Sequence, residues 1–302
     1  MRFLLTSILI LLISFQISLA NEWTPLRPMP TARSELPATV IDGKIYLPGG
    51  FGGMNALEAY DPASDSWQKL SSLPARRHHT MAASYNGRLY VFGGANFFWR
   101  PTNTAWVYDP GTEQWGELAS MPEKRYAGAA VTLGNAIYIV GGVGGTTQLL
   151  RYDPKIDQWQ KLASLNEARE HTAAVVFDGL IYALAGRWEG EGERSSIEIY
   201  DPIKNQWSLR APMRNIRGGH GAAAHAGKIY VFGGEVIFSG MDTLTSVEVY
   251  DPKKDAWSSG PELPVPLHGV PAAVVGEQVY VIGGSDRAAA AENHGRVLSW
   301  TP

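Results

Sequence analysis

The sequence predicts an all-β chain of six four-stranded antiparallel sheets closed into a ring, on three observations. The first is the phrase YDPASDSWQKL at residues 60–70, which returns as YDPGTEQWGEL (108–118), YDPKIDQWQKL (152–162), YDPIKNQWSLR (200–210) and YDPKKDAWSSG (250–260), with Tyr and Trp always seven apart. The second is the series Tyr46, Tyr90, Tyr138, Tyr182, Tyr230 and Tyr280, spaced by 44, 48, 44, 48 and 50 residues; Trp23, Trp67, Trp115, Trp159, Trp207 and Trp257 repeat those intervals. The third is Trp300-Thr301-Pro302, which opens a further copy with no Trp after it, while Trp23 supplies one from the other end.

Taken in chain order, residues 1–20 (MRFLLTSILILLISFQISLA) have a short basic start, an apolar stretch from Phe3 to Ile13 and small residues before a cut after Ala20. We expect a cleaved signal peptide there, an exported protein in the periplasm or outside the cell, and one domain over residues 21–302. Residues 21–26 then read as the outermost strand of the last sheet, because a ring of sheets closes without a free edge when the first strand completes the last sheet.

Each unit reads as four strands. Strand a is an apolar run such as Ala38-Thr39-Val40-Ile41, and Asp42-Gly43, Asn86-Gly87 or Asp178-Gly179 turns it into strand b, as two-residue hairpins needing positive φ demand. Strand b ends in Gly-Gly, or Ala185-Gly186 in the fourth unit. Strand c ends at Tyr-Asp-Pro, whose Asp and Pro suit the start of a type I turn, and strand d carries the Trp. Such a unit, repeated around an axis, makes a six-bladed β-propeller.

Composition narrows the partners. A chain of 302 residues with 45% hydrophobic content, 18% charge and a formal net charge of −3 buries a large core and has no basic block for nucleic acid. No membrane insertion is expected once the leader is removed. Zero cysteines exclude disulfides and thiolate metal sites.

Length variation falls between the Gly-Gly and strand c alone, where the counts from second Gly to Tyr (or Trp300) are 10, 14, 10, 14, 16 and 16. The b–c loops share one face with the d–a loops, and insertions confined to one face mark a working surface. That face receives Arg33, Arg77, Arg125, Arg169 and Arg217, with Leu267-His268 at the sixth position. Five arginines are expected around the channel mouth, either binding an anion or tying loops to carbonyls. Phe97, Phe98, Trp99, Trp188 and Phe238 in the long loops suit stacking on sugar rings or an apolar partner. His79, His171, His220 and His268 approach the mouth, but nothing has ligand-motif spacing and the blade positions read as far apart, so no metal and no cofactor are expected.

The Arg ten residues after the Trp, the Gly-Gly, the Tyr-Asp-Pro and the Trp together resemble the Kelch repeat over essentially all of residues 21–302. WD40 repeats do not fit, since no Trp is followed by Asp. The resemblance implies a binding platform for a glycan, a sugar acid or a protein partner; the candidate ligand-binding residues on the loop face are Arg33, Arg77, Arg125, Arg169, Arg217, His220, His268, Trp99 and Trp188. The build is also similar to exported bacterial N-acetylneuraminate epimerases, six-bladed Kelch proteins in which a Glu after a blade's Gly acts as acid/base and an Arg six residues later holds the carboxylate. Gly234-Glu235 matches, making Glu235 the candidate catalytic residue, and Met241 stands where the Arg would be. A galactose-oxidase-like copper radical site is excluded, because its cross-linked Tyr needs a Cys.

Overall fold

The computed structural model describes residues 22–144, 147–289 and 292–302, and the leader expected at residues 1–20 lies outside the described residues. Six four-stranded antiparallel sheets form the blades. Blade 1 is Thr39–Ile41, Lys44–Pro48, Leu57–Asp61 and Ser66–Lys69, and blades 2 to 5 repeat it in order. Blade 6 takes Ala272–Val275, Gln278–Ile282 and Val297–Trp300 from the end of the chain and Thr24–Pro25 from its start, with Thr24 opposite Ser299 and Pro25 opposite Leu298. The expected closure is thus observed. No described helix is long and apolar enough to cross a membrane.

The repeated residues account for the blades. Asp42 and Gly43 both take positive φ (49° and 75°), as the a–b hairpin demands. The tyrosines at 60, 108, 152, 200 and 250 are fully buried, and Tyr60 Oη donates to Asp65 five residues on at 2.7 Å. Each strand-d indole ties its blade to the segment leaving the blade before it. Trp67 Nε1 donates to the Arg27 carbonyl (2.9 Å), Trp115 to Ser71, Trp159 to Ala119, Trp207 to Ala163 and Trp257 to Ala211. Trp23 closes the circle on the Pro261 carbonyl at 3.2 Å. The Gly pairs are needed for inter-blade approach: Gly50 N donates to the Arg77 carbonyl at 3.1 Å, and a Cβ on Gly49 would sit 2.7 Å from that same oxygen.

Neighbouring blades touch through their first strands all the way round the axis. Ala38, Ala82, Ala130, Ala174, Ala222 and Ala272 hold equivalent positions there, one per blade, and line the channel. Small side chains let six strands converge and leave a cavity of about 150 Å³ beneath the loop face.

Candidate functional site

Above the alanines, six d–a positions form a collar. Each backbone N–H donates to the equivalent carbonyl of the preceding blade: His79 to Glu35 (2.9 Å), Ala127 to His79 (3.0 Å), His171 to Ala127 (2.7 Å), Gly219 to His171 (2.9 Å) and Gly269 to Gly219 (2.6 Å). Glu35 closes the ring on the Gly269 carbonyl at 2.9 Å. All six residues hold φ between 46° and 64°, which is costly for Glu35, His79, Ala127 and His171, whose side chains carry a Cβ. That geometry points their side chains into the top of the cavity, which Glu35, His79 and His171 line.

The side chains meet there. His79 Nε2 lies 3.0 Å from His171 Nε2, and Glu35 Oε2 is 3.3 Å from the first and 3.9 Å from the second. On the other side, His268 Nδ1 stands 3.4 Å from both Glu35 Oε1 and Glu235 Oε2. The expectation that the histidines are far apart is therefore corrected for His79 and His171, with His268 joined to them through Glu35. Blade-to-blade distances grow with radius, and these positions lie innermost, so residues from alternate blades converge on the axis.

A second ring surrounds the collar, because the residue after each ring Arg pairs by an isolated bridge with the residue after each Gly pair. Blades 1 to 3 put aromatic groups there: Phe51 stacks on His78 at 4.2 Å, and Trp99 packs against Phe51, His78 and His79. Blades 4 to 6 put charges there: Arg187 Nε donates to Glu170 at 2.9 Å and its Nη1 to Glu235 at 2.5 Å. The mouth has an aromatic half and an ionic half.

The electrostatics follow. Burial pushes the Glu35 carboxyl up, and His79, a hydrogen bond from His268, and His171 outweigh it, holding the group well below the usual carboxylate range. Burial would lower His268, yet Glu35 and Glu235 raise it above the usual imidazole value. His171 is held well below that value by burial and then by Arg187, and His79 is lowered chiefly by burial.

The ring arginines do not reach the mouth. Arg33, Arg125, Arg169 and Arg217 are fully buried inside the blades. Arg33 donates to the Leu47 and Gly49 carbonyls (2.9 and 2.8 Å) and to Glu58 at 2.8 Å. Arg169 and Arg217 repeat the pattern with Glu198 (2.9 Å) and Glu248 (2.7 Å), while Arg125 takes Glu123 at 2.6 Å. Arg77 has Trp106 at the position where Arg33, Arg169 and Arg217 have Glu, and lies 5.4 Å above its ring. Of the two readings of these arginines, the geometry carries the one in which they tie loops to carbonyls. An anion would have to displace carboxylates already in place.

The other candidates divide. His220 is buried in the cavity wall, its pKa pushed down to about 3 by burial and then by the Arg217 charge. Trp188 is half-buried in the small hairpin Arg187–Trp188 with Gly192–Glu193. Glu235 is 2% exposed, with one oxygen on Arg187 and the other accepting from Ala289 N at 2.8 Å. Phe97, Phe98, Trp99 and Phe238 are exposed on the b–c loops, joined by Met241. Phe97, Trp99, Phe51, His78 and Arg76 line a recess of about 480 Å³. Glu35, Glu170 and Arg187 are missed by the sequence reading, although the register holds the signal. Glu35 stands two after Arg33, as His79 and His171 stand two after theirs, and Arg187 follows Gly186 as Glu235 follows Gly234.

The comparisons come to the same architecture. The family model described as the Attractin/LZTR1 beta-propeller matches residues 89–299, and the Kelch motif model matches residues 32–74. Kelch-like protein 40 of Xenopus tropicalis is 41% identical over 76 residues, 24% of this chain and 12% of that protein. Kelch-like protein 41 of Homo sapiens is 29% identical over 99 residues, 31% of this chain and 16% of that protein. The alignments thus span under a fifth of these relatives' own length. The solved structure titled "Structure of YjhT" superposes with a TM-score of 0.80 over 90% of this chain and 96% of that one, at 18% identity, a likeness of fold.

Proposed function

The chain belongs to the Attractin/LZTR1 β-propeller family, and on that premise we propose that it is an exported Kelch propeller that binds a protein partner through its b–c/d–a loop face. Kelch propellers are scaffolds that generally mediate protein binding, and a fold alone names no ligand. The observation that carries the reading is the set of large apolar side chains held out on one face: Phe97, Phe98, Trp99, Phe238 and Met241 are each at least 51% exposed. Aromatic and methionine side chains at a water-exposed recess are what an apolar anchor of a partner would fill. A glycan would use the same aromatics by stacking on its sugar faces.

An N-acetylneuraminate epimerase-like activity would require Glu235 to exchange protons with a sugar acid. Both of its oxygens are already held, by Arg187 and by Ala289 N, which favours binding over isomerisation.

The test replaces residues 96–102 by a short Gly-containing linker. Loop length has a weak entropic effect, so folding should survive while capture of a partner from extracytoplasmic extract is lost. Ile203→Ser, on an exposed c–d turn at the opposite face, should leave capture intact. Equal loss from both variants would remove the loop face as the site. Melting shifts across a panel of glycans and sugar acids, abolished by Trp99→Ala, would replace the protein by a sugar.

A further inference from the structure

The collar sets a problem of proton placement that its own neighbours solve. Arg187 Nε donates to Glu170, which is therefore ionised, and Glu170 accepts from His171 Nδ1. His171 carries its proton on Nδ1, and its Nε2 presents a lone pair. On the other side, His78 Nε2 lies 3.1 Å from the Asn96 carbonyl, so it must donate, and His78 Nδ1 is left as an acceptor. His79 Nδ1, 2.6 Å from it, is then the donor, and His79 Nε2 also presents a lone pair. Those two lone pairs face each other at 3.0 Å, beside the ionised Oε2 of Glu35. Three electron-pair donors from three blades converge with no proton of their own, and a cation must join them.

We propose that Glu35 Oε2, His79 Nε2 and His171 Nε2 bind one divalent transition-metal ion of the zinc class at the collar, with a fourth position open to the channel cavity. The spacing fits. A tetrahedral centre with bonds of about 2.0–2.1 Å separates its ligand atoms by about 3.3 Å. The three separations observed, 3.0, 3.3 and 3.9 Å, bracket that edge, and all three atoms lie within 4.8 Å of one another. Two imidazoles and one carboxylate suit a borderline cation better than magnesium or calcium, which prefer all-oxygen shells. The Glu170 carboxylate behind His171 is the outer partner that fixes tautomer and ring orientation in metal-binding histidines. Glu170 and Arg187 tie the site to the ionic half of the mouth, and Trp99 covers His79 from the aromatic half.

A proton shared between the two rings is the competing cation. The Glu35 carboxylate beside both rings would hold either cation, and metal titration separates the two.

The experiment titrates Zn²⁺ and Co²⁺ into the purified, chelator-stripped protein, following heat, melting temperature and visible absorption. One equivalent should bind, and Co²⁺ should give the intense visible bands of a tetrahedral site. His171→Ala and Glu35→Gln should abolish that signature, and Glu170→Gln should weaken binding by about 10–100-fold, as loss of an outer hydrogen bond does. His225→Ala, remote from the collar, should change nothing. Absence of uptake by the wild type at a tenfold excess of Zn²⁺ would overturn the proposal without recourse to any variant. So would uptake unchanged in a folded His79→Ala/His171→Ala protein, or a histidine NMR signature of one shared proton that persists through the titration.

Discussion

Arg217 Nη2 donates to Glu248 at 2.7 Å inside blade 5, and at the equivalent places of blade 6 stand Leu267 and Leu298, both buried in one apolar cluster. One fold thus tolerates two solutions to the same cavity, an ion pair or a pair of leucines. Breaking a buried pair by removing one partner costs about 3–5 kcal/mol, while replacing both by apolar groups is close to neutral. Glu248→Ala should therefore lower unfolding stability by that amount, and Arg217→Leu/Glu248→Leu should recover only the part due to the unpaired Arg217, because the Arg214 and Asn215 N–H groups and the Gly233 and Ser246 carbonyls lose their partners as well. Urea denaturation of the three proteins decides; a double variant worse than the single one would show that the pair is more than a packing choice.

Trp23 joins the two ends of the chain through the Pro261 carbonyl and packs its ring 5.7 Å from Trp300 and 5.8 Å from Phe232. Trp23→Ala leaves a cavity at the seam and should cost about 3 kcal/mol, the low end for truncating a large aromatic because the indole is half-buried. Trp67→Ala, its counterpart in blade 1, should cost a similar amount. A melting curve unmoved by the Trp23 change would mean that blade 6 is stable without its outer strand.

The blades are legible in the sequence because each repeats a buried strand-b Tyr and an indole, and all but the fourth repeat the Gly pair, so six-fold repetition exposes the positions that the copies need. The site is less legible for the opposite reason. The collar breaks the repeat, so Glu35, His79, Ala127, His171, Gly219 and Gly269 look unrelated until their shared register is seen. Arg33 misleads in the other direction: a repeated Arg on a working face looks like a ligand-binding group, yet in blades 1, 3, 4 and 5 its guanidinium is taken up by the carbonyls at the end of strand b.

Gly269 shows how closely the collar is fitted. A Cβ there would come within 2.7 Å of Glu35 Oε1 and 3.0 Å of Glu35 N, at a φ of 61°. Gly219, the same position in blade 5, has no atom closer than 3.4 Å to its would-be Cβ. Gly219→Ala should cost about 1 kcal/mol, the left-handed penalty alone. Gly269→Ala should cost about 2–3 kcal/mol, since it must also displace a buried carboxylate. Equal losses in denaturation experiments would mean that Glu35 moves aside freely.

His220 gives the fold a pH dependence whose sign can be worked out. Burial, and then the Arg217 charge, push its folded pKa down to about 3, whereas in the unfolded chain it titrates near the ordinary value of about 6.5. Between those values the unfolded chain binds a proton that the folded chain refuses, so acid favours unfolding. The contribution is fully present above about pH 6.5 and is lost as the pH falls toward 3, at up to about 1.4 kcal/mol per unit. His268 runs the other way, because Glu35 and Glu235 raise its pKa and its contribution fades as the pH rises. The two are separable by mutation. His220→Asn should cost stability at neutral pH through lost packing, yet its further loss between pH 6.5 and 5 should be about 1.6 kcal/mol smaller than in the wild type. Urea midpoints measured at both pH values test this, and parallel losses in the two proteins would mean that His220 takes up its proton in the folded state.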